Sequence, residues 1–314
     1  LSKYGDLWGE NAFFNSELIW GIGRGASNTF EMAHYPIGVE NASSGNCPSQ
    51  SLVDQYEYQD NGQTFAQRYP GSIDLTQVNP YEGLDPRFAL TVVKNGDEWP
   101  SNGAQKKVIE TFMGGFNAAP KYGATPTGYY LRKYVDGSCV TTADNQVTSR
   151  HTWIIYRLAE FYLNYAEALA ELGQLDQAAL DMSVNRIRER AKMPALDMAV
   201  ANGNVDPFLA SCYPKVKDGD NKGVILEIRR ERTIELVNEG FRQWDMLRWK
   251  EGEQMVNSAV VDGKTVSQPY YGIYFPAEGL YDMDGDGKND LEIYSAVQQS
   301  KPADGLTVKK IGSD

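Results

Sequence analysis

Histidine and cysteine are scarce in this chain: His34 and His151, then Cys47, Cys139 and Cys212, among 314 residues. The cysteines are widely spaced, with no Cys-x-x-Cys unit, so a zinc cluster lacks ligands and the thiols read as unpaired or as one structural disulfide. Long apolar runs are missing as well. Trp153 to Tyr156 is typical of the longest, against the roughly 20 residues a helix needs to cross a bilayer. Basic residues are outnumbered, 30 against 42 acidic ones, for a formal net charge of -12. That average field repels nucleic-acid phosphates and anionic lipid surfaces and favours neutral or cationic partners. Gly-x-Ser-x-Gly, His-Glu-x-x-His, phosphate-binding glycine loops and nucleotide fingerprints are all absent, and no cysteine stands in a nucleophile context. Paired carboxylates can hydrolyse glycosidic bonds, but 42 acidic residues offer many pairs and their separations are not written in sequence. The reading is therefore a protein that performs no chemistry. No charged-then-apolar leader opens the chain, so any signal peptide is expected outside this sequence.

What is present is ordinary folded-protein material, 41% hydrophobic and 23% charged. Residues 1–150 are dense in Gly, Asn, Pro and Tyr, and read as loops with short strands at Glu17 to Ile22, Ala89 to Val93 and Gly128 to Val135. Residues 151–257 read as helical hairpins. In the first helix Leu158, Phe161, Tyr162, Tyr165, Leu169 and Leu172 fall on one face, with Glu160, Asn164, Glu167 and Glu171 opposite. Gly173 ends it. Asp176 caps a second helix running to about Ala191, Leu175 and Leu180 form a staple, and Leu180, Val184, Ile187 and Ala191 make its stripe. A second pair, Lys222 to Glu239 and Phe241 to Met255, breaks at Gly240. These are hairpins of tetratricopeptide-like proportions, whose apolar faces need stacked neighbours for cover, so a truncated protein with exposed stripes is expected. Residues 258–314 return to strands and polar loops, with Tyr270 to Phe275 alternating. The fold class is α+β: a helical-hairpin layer packed against a loop-rich region with short strands.

Seven ordered segments resemble the C-terminal region of the SusD/RagB family. They are NSELIWGI at Asn15, PSQSLVDQYE at Pro48, NPYEGLDPRFALTV at Asn79, TGYYLRKYVD at Thr127, RLAEFYLNYAEALAELG at Arg157, VNRIRERAKMP at Val184 and IRRERTIELVNEGFRQWDMLRWK at Ile228. The last is the most specific. The resemblance implies a non-catalytic, surface-exposed lipoprotein of a Gram-negative outer membrane. In that family a lipidated cysteine and an N-terminal helical-repeat segment come first, and the lipid is the only membrane attachment. It also implies a SusC-like TonB-dependent transporter as partner, with the helical face on the barrel and oligosaccharide on the loop-rich face. A helical-repeat adaptor for a peptide or protein partner is the alternative.

Three residue sets stand out beside this resemblance. Arg229, Arg230, Glu231, Arg232, Glu235, Glu239, Arg242, Asp245 and Arg248 recur at i,i+3 and i,i+4 spacing, and read as a structural ion-pair network under Trp244 and Trp249 rather than as acid–base machinery. In DMDGDGKNDL, Asp282, Asp284, Asp286 and Asp290 take positions 1, 3, 5 and 9 of a loop between the strands Leu280-Tyr281 and Leu291 to Tyr294. With the Lys288 carbonyl and water they suit a structural calcium ion, although Ile293 stands where an EF-hand needs glutamate. Sugar sites present aromatic faces ringed by polar groups, which makes the loop aromatics Tyr35, Tyr69, Tyr81 and Trp99 the candidate ligand-binding residues. Trp8, Trp20, Phe161, Tyr162 and Tyr165 are expected in the core.

Overall fold

The computed structural model describes all residues except 2, 71–77, 100–106, 143–145, 252–257, 262–263, 268–278, 282–287, 290, 295–306 and 311–314. Its helices are α1 (Thr29–His34), α2 (Gln50–Val53), α3 (Phe65–Arg68), α4 (Pro86–Thr91), α5 (Leu158–Glu171), α6 (Gln177–Met182), α7 (Val184–Arg190), α8 (Met198–Gly203), α9 (Pro207–Cys212), α10 (Lys222–Glu235) and α11 (Arg242–Arg248). Its strands are short: β1 (Leu18–Gly23), β2 (Val92–Val93), β3 (Glu98–Trp99), β4 (Lys107–Val108), β5 (Tyr130–Leu131), β6 (Thr152–Arg157), β7 (Ser258–Val261), β8 (Lys264–Ser267), β9 (Gly279–Tyr281), β10 (Leu291–Tyr294) and β11 (Thr307–Lys310). The fold is α+β and helix-rich; among the described residues it has four two-stranded pairs, β1-β6, β2-β5, β3-β4 and β7-β8, and one three-stranded sheet, β11-β10-β9. Tyr270 to Phe275 lies outside the described residues.

The helical layer forms where the sequence places it, with its boundaries moved. Trp153 belongs to β6, which pairs antiparallel with β1, and α5 starts only after Arg157. Gly173, at φ +67°, ends α5, and Gln174 and Leu175 return their N–H groups to the Leu169 carbonyl at 2.8 and 3.1 Å. The Asp176 carboxylate accepts from the Ala179 N–H at 2.8 Å and starts α6. Ser183, at ψ −93°, divides the expected second helix into α6 and α7, yet Leu180, Val184, Ile187 and Ala191 still share one buried stripe. α10 stops at Glu235, before Gly240, and α11 is shorter than expected. Helices α8 and α9 have no counterpart in the sequence reading; Asp197 and Asp206 cap them. Ala89–Val93 is not one strand, because Asp85 caps α4 with Pro86 in its first turn and only Val92–Val93 is extended.

The buried face of α5 is not the aromatic one. Ala159, Leu163, Ala166 and Ala170 enter the core with Val224 and Ile228 of α10. Phe161, Tyr165 and Leu172 remain exposed, and Glu160 and Glu167 are buried. Small side chains let α5 and α10 approach closely, which the larger rings would prevent. Trp20 is exposed too, 5.8 Å from Tyr156, which lies 6.5 Å from Phe161, so an apolar band runs from β1 across β6 onto α5. Trp8 and Tyr162 are partly buried against apolar clusters, as expected. On the other side of α10, a Cβ at Gly223 would collide with the Ala201 carbonyl of α8.

α10 also carries the polar centre of the molecule. Glu235 is fully buried and receives Arg87 at 2.8 Å, Arg157 at 2.5 Å and Arg190. Burial pushes its carboxyl up, but Arg190, Arg157 and Arg87 together hold it well below the usual carboxylate range. Arg157 extends the network to Glu17 at 2.9 Å and Glu239 at 2.8 Å, Lys133 adds 2.6 Å to Glu239, and Arg87 reaches Asp85 and Glu231. The expected charge ladder is thus a buried three-dimensional network. Trp249 covers part of it, 4.6 Å from the Arg229 guanidinium; Trp244 does not, being 69% exposed.

Removing one partner of a buried ion network strands the others, at about 3–5 kcal/mol. Glu235→Ala is therefore expected to lose that much in urea denaturation; a loss near zero would contradict the compensated network. Glu227 behaves oppositely to Glu235. Burial lifts its carboxyl from 4.5 to about 7 against the opposing pull of Arg230. The folded state holds this proton more tightly, so the stability it adds is complete below about 4.5 and lost as pH rises to about 7. Glu227→Gln, neutral throughout, should flatten the decline of the melting temperature across that window.

Candidate functional site

Of the four aromatics singled out in the loops, two are buried and two, Tyr69 and Tyr81, are half-buried, and of these Tyr69 lines a large open cleft. Tyr35 and Trp99 are both 1% exposed and meet edge-to-face at 5.1 Å. The Tyr35 hydroxyl donates to the carbonyls of Asp136 at 2.6 Å and Cys139 at 2.9 Å, and burial lifts its phenol far above the ordinary value. These two are core residues, a correction to the sequence reading: their partners lie far away in sequence, where local composition gives no sign of them. Tyr81 is half-buried, stacked on Phe88 at 5.6 Å, with its hydroxyl 2.9 Å from that of Tyr129.

Tyr69 stands on the wall of an open cleft of about 610 Å³, lined also by Gln59, Asp60, Arg68, Val78, Asn79, Glu82 and Gly83. Two short-range devices build it. The chain after α2 forms antiparallel bridges, Glu57 with Thr64 and Tyr58 with Leu84, and these hold two strips of backbone side by side. Thr64 then caps α3: the Gln67 N–H bonds its hydroxyl, and the Gln67 side chain accepts from the Thr64 N–H at 2.8 Å. Tyr69 follows α3 directly, where its N–H still bonds the Phe65 carbonyl at 3.0 Å. Its ring is braced by Phe65 at 5.2 Å and Tyr58 at 6.3 Å.

The polar rim is prearranged. Tyr58 donates to the Pro80 carbonyl at 2.8 Å, and burial pushes its phenol up to about 12. The Arg68 guanidinium lies 4.4 Å over the Tyr58 ring and pairs with Asp60 at 2.8 Å. Asn79 accepts from the Tyr81 N–H at 3.0 Å through its carbonyl oxygen, which orients the amide. One aromatic face beside amide, carboxylate and guanidinium groups offers an apolar surface ringed by donors and acceptors. Gln59, Asp60, Arg68, Asn79 and Glu82 were missed in the sequence; the run QDNGQTF after PSQSLVDQYEY carried the signal of a polar turn, without saying what it faced.

The model of the SusD family matches residues 16–279. The chain belongs to the SusD family. Two SusD-family structures from Bacteroides fragilis show the fold: a SusD-like protein at 26% identity and TM-score 0.61, covering 80% of this chain and 46% of its own, and a SusD-like carbohydrate-binding protein at 24% identity and TM-score 0.61, covering 81% and 46%. The SusD-like protein P38 of Formosa agariphila is 29% identical over 123 residues, 39% of this chain and 21% of that protein. The chain thus spans less than half the length of these relatives.

The aspartates Asp282, Asp284, Asp286 and Asp290 lie outside the described residues of this SusD-family chain; Lys288 is described and exposed. Their flanks are as expected: β9 and β10 pair antiparallel with Tyr281 opposite Leu291. Among the described residues no cluster of His, Cys, Asp or Glu is arranged to hold a metal, and no helix is long and apolar enough to cross a membrane. The three cysteines are free thiols.

Burial separates Trp99 from Tyr69 in a way that stability measurements can read. Trp99→Ala should cost about 3–5 kcal/mol through the cavity it leaves. Tyr69→Ala, at a half-buried ring on the cleft wall, should cost about 1 kcal/mol. Equal losses in denaturant titrations would contradict their placement.

Proposed function

We propose that this chain holds a neutral oligosaccharide non-covalently at the cell surface and passes it to a SusC-like TonB-dependent outer-membrane transporter, without cleaving it. The half-buried Tyr69 on the wall of the open cleft, inside its polar rim, carries the reading. Pyranose rings stack their apolar faces on aromatics while their hydroxyls need donors and acceptors, which Gln59, Asn79 and Glu82 supply. Membership of the SusD family and the carbohydrate-binding relative from Bacteroides fragilis support glycan as the ligand class. The charge of -12 agrees with an uncharged ligand. Surface attachment through a lipid and delivery to the transporter rest on the family alone.

Calorimetry against a polysaccharide panel tests the binding. Tyr69→Ala should weaken the glycan that binds by about tenfold or more, as loss of about 1.4 kcal/mol of stacking requires, with the melting temperature nearly unchanged. Binding of extended peptides and of no glycan would favour the adaptor reading instead. Sustained release of reducing sugar, lost on changing one carboxylate, would overturn the non-catalytic reading.

We further propose that Asp282, Asp284, Asp286, Asp290 and the Lys288 carbonyl hold one structural calcium ion. The flanking strands β9 and β10 pair with Tyr281 opposite Leu291, and four carboxylates within nine residues repel one another until a divalent cation bridges them. Calcium a hundredfold above its dissociation constant should stabilise the chain by about 2.7 kcal/mol, and chelation should lower the melting temperature. Magnesium should substitute poorly, since it demands octahedral geometry. Asp284→Ala with Asp286→Ala should abolish the shift; a melt indifferent to calcium from the start would refute the site.

A further inference from the structure

We propose a second binding site, separate from the Tyr69 cleft, that takes a small organic carboxylate with an apolar body. It is a cavity of about 340 Å³ between the segment around α2 and the turn joining α10 to α11, at the small end of the range of ligand sites. It shares no lining residue with the Tyr69 cleft.

Its walls are mainly apolar, formed by Leu52, Leu131, Leu236, Val237 and Phe241. Among the polar groups that interrupt that surface are Gln55, buried with an oxygen left unpartnered, and Arg242, exposed and without a counter-ion among the described residues. Gln55 is 3% exposed, and its Oε1 has no hydrogen-bond partner among the described residues. Its Nε2 donates to the Ser51 carbonyl at 3.3 Å. That contact fixes the amide orientation, since exchanging the two atoms would set oxygen against oxygen. A buried acceptor left without a donor is destabilising by about 1–3 kcal/mol, so a ligand donor reaching Oε1 recovers that loss.

Arg242 is the second group. Its Nη1 donates to the Tyr213 hydroxyl at 2.9 Å and the Thr233 hydroxyl at 2.9 Å, both neutral, and among the described residues it makes no ion pair. The other charged lining groups, Arg232 and Asp245, are paired with each other at 2.7 Å. The lining therefore carries one uncompensated positive charge in a chain of net charge -12. The Tyr213 and Thr233 hydroxyls hold one edge of the guanidinium and leave the rest of its fork for a carboxylate. The apolar walls suit the body of the ligand: an aromatic ring lies against Leu52, Leu131, Leu236, Val237 and Phe241 with no ring hydroxyl to satisfy there. A hydroxylated aromatic acid satisfies all three features, with its carboxylate on Arg242, its ring against the apolar walls and its hydroxyl donating to Gln55 Oε1.

Calorimetry on the 314-residue chain with 4-hydroxyphenylacetate, its uncharged amide and glucuronate tests this. The acid should bind, and the amide should bind about tenfold more weakly or worse, because a hydrogen bond to a charged group contributes about 1.5–3 kcal/mol. Arg242→Gln should erase the preference for acid over amide. Arg242→Lys, which keeps the charge but not the fork, should retain part of it. Gln55→Leu should weaken 4-hydroxyphenylacetate while leaving phenylacetate unaffected or improved. Tyr69→Ala should change none of these, so failure of the glycan reading and failure of this one are distinguishable. Equal binding of acid and amide, acid binding that survives in Arg242→Gln, tighter binding of glucuronate, or no binding of any probe at millimolar concentration would each overturn the proposal.

Discussion

The burial of Glu235 is the constraint on which the rest of the structure depends. A carboxylate fully removed from water is tolerable only when cations replace its hydration, and the cations here come from three distant places. Arg87 belongs to α4, Arg157 ends β6, and Arg190 ends α7. Each guanidinium is buried or nearly so and therefore needs its carboxylate as much as the carboxylate needs it. α10 also supplies Val224 and Ile228 to the cluster among the helices, Ile234 to the cluster around Tyr56 and Phe88, and Leu226 to the cluster around Tyr213. Several modest apolar clusters are thereby held in one arrangement by a polar spine. Apolar contact is indifferent to direction, whereas a guanidinium meeting two carboxylates is not.

The same spine reaches the cleft. Glu57, whose backbone bridges Thr64, accepts from Arg188 at 2.7 Å and pairs with Arg230 at 3.2 Å. Gln67, which completes the cap of α3, donates to Asp206 at 3.1 Å, and Asp206 pairs with Arg230 while capping α9. The segment carrying Tyr69 is thus tied at two points to arginines of the helical layer, although the cleft itself is built from loops. A binding face on loops keeps its shape when a rigid scaffold fixes its ends. In this molecule the scaffold does so through charge rather than through a large shared apolar core.

Much of the helical layer was legible in the sequence. The periodicity of α5, the Asp176 cap, the stop at Gly173 and the charge repeat of α10 are local patterns, and local patterns survive folding. The buried side of α5 was not legible, because hydrophobicity alone sends Phe161 and Tyr165 inward while close approach to α10 requires Ala159, Ala166 and Ala170 there. The loop aromatics show the same limit. Tyr35, Tyr69, Tyr81 and Trp99 sit in similar local surroundings, and what separates them is whether distant chain returns to cover the ring. Asp136 and Cys139 close over Tyr35, and among the described residues no comparable segment closes over the Tyr69 wall of the cleft.

By itself, then, the amino-acid sequence determined the class of fold, the main helices α5, α10 and α11, the family and the absence of recognisable catalytic motifs, since each rests on residue types at short spacing. Tertiary structure alone decided which loop aromatic lines the open cleft, which carboxylates are buried among arginines, and that Arg242 is held by two neutral hydroxyls. Burial and electrostatic compensation are properties of groups brought together from far along the chain, and no short stretch of sequence contains both members of such a pair.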